Sequence, residues 1–377
     1  MPQSDASSTT PELKLELEPL VTRGHPIHTR TLTVELRRGE GAALLVEGKI
    51  IDMRKCGWVP TAGELQAAGF IHDMALEAVV NADTRVLERF VPTQRVVAFE
   101  ANEVTEGDSC RDPIDRLRAL EGERLDEDFT RTLRAHFGGP LGCSHLLTLG
   151  QLMASTLPAV LEHESAIQES GRPARQPGER IFSRALFLDG FESEDEVMEL
   201  AVQLTDVHSA PSGEVEGWID RFDSQREVRV LAHVETEGMT FRRLDALERA
   251  RNRESLTTAP WLRRSNDLAG LVGHSALQGL GPELLRRFGG SPAERPFLDA
   301  LLNLAPGLIQ CLAARANRMI EKFIAAPGTE KPRIPKSAGV GGFPDSCYLW
   351  RADGPLSKAR QERVRMAYDE EGEPPLE

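Results

Sequence analysis

The sequence predicts an α+β fold built from two tandem units, each with an antiparallel sheet followed by packed helices. Apolar and polar residues alternate over residues 31–36, which is the period of a half-buried strand. From Asp112 onward the apolar spacing changes to three or four residues, which is the period of a helix. Because strands come first and helices follow, the order favours α+β over a parallel sheet with alternating helices.

The first unit contains four predicted strands, at residues 31–36, 44–52, 70–80 and 86–91. Glycines at 39 and 41 separate the first two strands, and the turn at residues 81–83 separates the last two. Three helices follow, at residues 112–120, 126–137 and 143–163. Gly138, Gly139 and Pro140 end the second helix, since none of the three continues a helix well.

The second unit repeats the pattern of the first. At an offset of 154 residues Arg30 and Asp52 align with Arg184 and Asp206, and at 151 residues Phe137 aligns with Phe288. We interpret this as a duplication. The predicted segments are a disordered leader (1–22), the first unit (23–163), a linker (164–179), a degenerate second unit (180–320), a C-terminal loop and strand packing back on the core (321–365) and an acidic tail (366–377).

Composition excludes several classes of protein. The chain has 377 residues and a formal net charge of −14, which argues against nucleic-acid binding and against an anionic membrane surface. We expect no membrane-spanning segment and no secretory signal. The five cysteines are widely spaced and odd in number, so we expect free thiols and a cytoplasmic location. Composition names no small-molecule or protein partner and no oligomeric state.

Alignment of the two units with each other indicates that a functional site lies in the first unit. Cys143 aligns with Glu294, so the second unit has lost that ligand. The other losses are His145 to Pro296, Cys110 to Trp261 and His72 to Arg226. The titratable or sulfur-bearing candidates of the first unit are Asp52, His72, Asp73, Cys110, Cys143 and His145.

Four of these candidates lie at the ends of elements and form a plausible ligand set for a metal. Thiolate, imidazole and carboxylate together suit tetrahedral zinc, and iron remains open. We therefore predict a zinc or iron site made by His72, Asp73, Cys110 and Cys143.

Two other functions stay open. Cys143 precedes an apolar helix, and a helix N-terminus favours a thiolate. Cys143 would then be the nucleophile of a thiol-dependent hydrolase or transferase, with His145 or His72 as its base. The alternative is a non-catalytic binding or assembly module.

Two resemblances add to this reading. Arg30, Ile-His-Asp-Met at 71–74, Cys110, Gly-Cys-Ser-His-Leu at 142–146 and Cys347 with Asp353-Gly354 resemble a bacterial family of unknown function. More distantly, the pattern is similar to the U-type iron–sulfur assembly scaffolds. That similarity implies Asp73, Cys110 and Cys143 as ligands, with His72 in place of the first scaffold cysteine, a change that suits zinc better than a cluster.

Overall fold

The computed structural model describes residues 20–61, 64–125, 128–193, 197–214, 217–325 and 342–359. The predicted acidic tail and residues 1–19 of the predicted leader lie outside these ranges. The α+β class predicted from the sequence is confirmed, since an antiparallel sheet is packed against several helices.

Nine antiparallel strands form one sheet in the described part of the chain. They are β1 (His25–Arg38), β2 (Ala43–Thr61), β3 (Glu64–Asn81), β4 (Leu87–Val96), β5 (Arg180–Glu192), β6 (Val197–Ser209), β7 (Phe222–Glu235), β8 (Phe241–Asn252) and β9 (Leu262–Arg263). Their spatial order is β4-β3-β2-β1-β5-β6-β7-β8-β9. The two predicted units are therefore not separate domains, because β1 and β5 join their strands into a continuous sheet.

The two halves of the sheet have the same register. Arg30 pairs with Asp52 across β1 and β2, and Arg184 pairs with Asp206 across β5 and β6, which is the 154-residue offset. At the junction Leu32 pairs with Leu186, its own counterpart at that offset. The sheet thus has a local two-fold arrangement about this pair. A duplicated unit would produce this register, and common ancestry of the halves stays a prediction.

In each half, α-helices follow the strands. They are α1 (Phe129–Phe137), α2 (Ser144–Glu169), α3 (Leu280–Phe288), α4 (Arg295–Leu302) and α5 (Leu304–Ala325). The bounds of α1 and α3 differ by 151 residues, as do the starts of α2 and α4. Helix α4 ends at Leu302, with Asn303 as its C-cap. The second half therefore has two helices, α4 and α5, over the stretch that corresponds to the single helix α2.

Three predicted elements differ from the structure. Residues 112–120 form a 3₁₀ helix rather than an α-helix. The predicted linker begins inside α2, which continues to Glu169. The predicted C-terminal strand is a 3₁₀ turn at Tyr348–Trp350, which packs back on the first half through a hydrogen bond from the Tyr348 amide to the Gly142 carbonyl (2.8 Å).

The core lies between the helices and one face of the sheet. Alternate residues of β1 (Leu32, Val34 and Leu36) are fully buried, while the residues between them remain partly exposed. Helix α5 packs on β1 and β2 as well as on β5 and β6, so it crosses from its own half onto the first. Its approach depends on Gly307, where a Cβ atom would lie 2.2 Å from a methyl carbon of Leu188.

One helical stretch, Pro292–Arg315, is long and apolar enough to cross a membrane by length and composition. In the fold 61% of its most apolar window is buried. It includes α4 and the first half of α5, so its apolar character is that of a core helix packed on the sheet.

We expect Gly307→Ala to lower the free energy of unfolding by about 1–2 kcal/mol, because overpacking exceeds the gain in helix propensity. Gly281→Ala in α3 is the matched control, since a Cβ atom there has no neighbour within 4 Å. Its effect should be neutral or stabilising. Urea denaturation of both variants measures the difference, and equal stability would contradict the close packing of α5 on β5.

Candidate functional site

Three adjacent strands place charged side chains in one row on the helix-covered face of the sheet. Asp52 on β2 pairs with Arg30 on β1 and with His72 on β3. His28, two residues before Arg30, lies on the same face because side chains alternate along a strand. His145, in the first turn of α2, covers this row from the helical layer.

Asp52 is the centre of the row and is fully buried. Its Oδ1 accepts hydrogen bonds from Arg30 Nε (2.8 Å) and His28 Nε2 (3.0 Å), and its Oδ2 accepts one from Arg30 Nη2 (3.0 Å). Burial alone would raise the pKa of Asp52. The Arg30 guanidinium and the His28 hydrogen bond instead hold that pKa well below its usual value. The carboxylate is therefore ionised.

Two imidazole nitrogens converge on the Oδ2 atom of Asp52. His72 Nδ1 lies 3.2 Å and His145 Nε2 lies 3.4 Å from it, and the three atoms are all within 4.8 Å of one another. His72 Nδ1 is buried, and its closeness to Oδ2 also helps to lower the pKa of Asp52. The two rings stack with centroids 3.7 Å apart. Among the described residues, these three are the group with the geometry to hold a metal ion.

The protonation of His145 follows from its surroundings. Burial lowers its pKa well below the usual value, and the nearby His72 and Arg30 lower it further. The side-chain amide of Gln310 on α5 lies 3.2 Å from His145 Nε2. The Nε2 atom of His145 therefore lies close both to this amide and to Oδ2 of Asp52, which is 3.4 Å away.

The predicted cysteines lie next to this cluster rather than in it. Cys143 is the residue before α2, and its Sγ atom is 3.9 Å from His145 Nδ1. Cys110 and Cys347 line the same cavity of about 190 Å³, together with His72, His145 and Cys143. Neither Cys110 nor Cys143 belongs to the described group of three close ligand atoms. Cys110 and Cys143 thus share a cavity with His72, and their role as metal ligands stays a prediction.

The thiols are not activated in this environment. Burial raises the pKa of Cys143 to about 12, despite its position at a helix N-terminus. Burial, together with the neighbouring Cys143 and Cys347, raises the pKa of Cys110 well above its usual value. Cys143 is therefore a thiol rather than the thiolate expected from its position, because desolvation outweighs the helix dipole.

Asp73 does not join the cluster that the sequence predicted for it. It follows His72 directly, so strand alternation places its side chain on the opposite face of β3. There it lies 3.1 Å from Arg95 Nε and 3.9 Å from Lys49 Nζ. Asp52 takes its place in the cluster.

Three contributors were missed by the sequence reasoning. His28 and Arg30 hold Asp52, and Gln310 contacts His145. Period-two alternation could have found the first two, since a buried arginine on one strand opposite an aspartate on the next indicates an ion pair. No local signal identifies Gln310, which comes from the other half of the chain.

The corresponding position in the second half is filled differently. Arg184 makes two hydrogen bonds to Asp206 (2.6 and 2.7 Å) and a third to Asp299 (2.5 Å). Arg226 and Pro296 occupy the places of the two clustered histidines. The second half thus keeps the arginine–aspartate pair, adds a second carboxylate at Asp299 and lacks both imidazoles.

These features define the class of protein: an α+β protein with a buried carboxylate and two histidines beneath a cavity. Residues 28–158, about a third of the chain, match the family model described as Protein of unknown function (DUF2889). The matched range contains Asp52, His72 and His145. Searches of curated proteins and of solved structures gave no match. The similarity to U-type scaffolds stays a prediction, and the structure does not bring Asp73 together with Cys110 and Cys143.

We expect Asp52→Asn to lower the free energy of unfolding by about 3–5 kcal/mol, because it leaves the Arg30 charge buried without a carboxylate. Asp206→Asn is the matched control. Arg184 keeps Asp299 after that change, so the loss should be smaller. Chemical denaturation of both variants decides the comparison, and equal losses would contradict the assignment.

A pH dependence is expected from His208, which occupies the second-half position that matches Arg54. Burial, and then His163, lower the pKa of His208 to about 3. Below about pH 6.5 the unfolded state binds a proton that the folded state does not, so stability decreases by up to about 1.4 kcal/mol per pH unit. Unfolding at pH 7 and pH 5 should show a weaker pH dependence for His208→Gln, while the exposed His136→Gln should behave like wild type.

Proposed function

We propose that the first half of this protein binds a divalent transition metal ion through Asp52 Oδ2, His72 Nδ1 and His145 Nε2. The observation that carries the proposal is the convergence of one carboxylate oxygen and two imidazole nitrogens within 4.8 Å of one another in a buried cluster. The lowered pKa of His145 keeps its imidazole neutral, which is the form that binds a metal ion.

The spacing of the ligand atoms supports a metal of zinc size. Bonds of about 2.0–2.2 Å in a tetrahedron separate neighbouring ligand atoms by about 3.3–3.6 Å. The distances from Asp52 Oδ2 are 3.2 Å to His72 Nδ1 and 3.4 Å to His145 Nε2. Only small movements would be needed for both nitrogens to bind one ion.

The surrounding residues orient the ligands. Arg30 contacts both oxygens of Asp52 and His28 contacts Oδ1, so Oδ2 keeps one lone pair for the ion, and Gln310 packs against the His145 ring at Nε2. Partners of this kind set ligand orientation in metal sites. The Arg30 charge opposes a cation, but the ionised Asp52 offsets it. The buried Cys143 thiol lies beside the same imidazole, with Sγ 3.9 Å from His145 Nδ1.

Two histidines and one carboxylate leave coordination positions open, and the cavity adjoins them. This ligand set suits zinc with an exchangeable fourth ligand and equally suits non-haem Fe(II). Either ion would supply a Lewis acid, and iron would add oxygen or redox chemistry. We therefore keep both zinc and iron in the proposal.

A thiol enzyme is the second candidate, favoured by the contact between Cys143 and His145 (3.9 Å). The pKa of about 12 leaves Cys143 protonated at neutral pH, and the lowered pKa of His145 makes the imidazole a weak base. The metal proposal uses the same residues without needing an activated thiol. It is therefore the stronger of the two.

We expect the full-length chain, purified without a histidine tag, to bind one equivalent of Zn²⁺ or, under anaerobic conditions, Fe²⁺. Calorimetric titration and elemental analysis measure this. His72→Gln and His145→Gln remove ligands, so each should weaken binding by more than the roughly 10–100-fold typical of an outer-shell partner. His136→Gln, on the exposed face of α1, should leave the affinity unchanged.

Cobalt substitution tests the role of the thiol in the same experiment. A Cys143 thiolate bound to Co²⁺ would add an intense near-ultraviolet charge-transfer band, which Cys143→Ser would remove. Stoichiometric binding that is unaffected by His72→Gln and His145→Gln, or no binding by the wild type, would rule out the proposed site.

A further inference from the structure

Arg54 is a buried cation that no carboxylate in the described residues neutralises. It lies on β2, on the same face as Asp52, and is 5% exposed. Its Nη1 donates to the Gln66 carbonyl (2.7 Å) and its Nη2 donates to Gln66 Oε1 (3.2 Å), both of which are neutral acceptors. Its Nε is buried and has no acceptor. Burial lowers the pKa of Arg54, as expected for a cation without a counter-ion.

Other deeply buried arginines of the protein do have carboxylate partners. Arg30 pairs with Asp52, Arg175 with Glu164, and Arg184 with both Asp206 and Asp299. An uncompensated buried charge costs several kcal/mol. Arg54 therefore departs from the pattern of this fold, and such a departure is expected where a ligand supplies the missing charge.

Arg54 lines a cavity whose walls are mostly apolar. The cavity has a volume of about 190 Å³, and Phe99, Leu312 and Trp350 are among its lining residues. An engineered apolar cavity of about 150 Å³ accommodates benzene, so this one has room for a single ring with a small substituent. Arg54 and the apolar walls thus offer one cation and one hydrophobic compartment side by side.

We propose that this cavity binds a small organic monocarboxylate with an apolar body. The carboxylate accepts hydrogen bonds from the Arg54 guanidinium, the fork geometry that arginine offers to carboxylates. The apolar body packs against Phe99, Leu312 and Trp350. A single cation among apolar walls fits one negative charge better than the two of a phosphate, which would need more donors.

The position of the cavity relates this ligand to the cluster described above. His72 and His145 line the same cavity, so the bound acid would lie beside the proposed metal ion. The inference does not depend on that ion, because Arg54 and the apolar walls are a separate set of residues. Binding is therefore tested first on protein freed of metal with a chelator.

Benzoate is the probe and benzamide its neutral counterpart of nearly the same shape. We expect the full chain to bind benzoate at least about 10-fold more tightly than benzamide in calorimetric titration, since the charged group gains from pairing with Arg54. Arg54→Gln should weaken benzoate binding about 10–100-fold and change benzamide binding less than about 3-fold. Arg95→Gln, an exposed arginine paired with Asp73, is the control and should change neither.

Equal affinities of wild-type protein for benzoate and benzamide, or no binding of either, would overturn the inference without any variant. Unchanged benzoate affinity in a folded Arg54→Gln protein would do the same. If Arg54→Gln does not fold, Arg54→Lys keeps the charge and loses the fork, and it should still prefer benzoate by a reduced factor. Benzoate selectivity without metal binding would refute only the metal proposal. Metal binding without benzoate selectivity would refute only the proposal of a carboxylate site at Arg54.

Discussion

The buried ion pair between Arg30 and Asp52 is the interaction on which the first half depends. Two desolvated charges are tolerated there because three hydrogen bonds of 2.8–3.0 Å satisfy the carboxylate. The pair also fixes the register of β1 and β2, since a slip of one residue would move the carboxylate to the exposed face. The positions of His72 and the cavity follow from that register.

The arginine–aspartate pair has different neighbours in the two halves. In the second half Asp299 completes the hydrogen bonding of Arg184, so the charges there satisfy one another and need no ligand. In the first half His72 and His145 lie 3.2 and 3.4 Å from Oδ2 of Asp52. The same backbone thus holds one arginine with two carboxylates in the second half, and one arginine with one carboxylate and imidazoles in the first. The cluster that contains the imidazoles is the one that opens onto the cavity.

The cluster and the cavity come from different parts of the chain. The three proposed ligands lie within residues 28–158, the range that matches the family of unknown function. Gln310 and Leu312 come from α5 of the second half, and Trp350 comes from the C-terminal segment. The chemistry of the site therefore belongs to the matched domain, whereas the shape of its cavity depends on the residues that follow. What enters the cavity would be decided by that second contribution.

The sequence by itself determined the periodicity of the strands, the 154-residue offset and the candidate residues at the ends of elements, because these depend on local spacing. It placed His72, Cys143 and His145 near one site. Only the tertiary structure decided between Asp52 and Asp73, since the face of each carboxylate depends on which strand pairs beside it. The fold also sets the protonation state of the thiols. Segments distant in the chain bury them and raise their pKa, and the local position of a cysteine does not predict that burial.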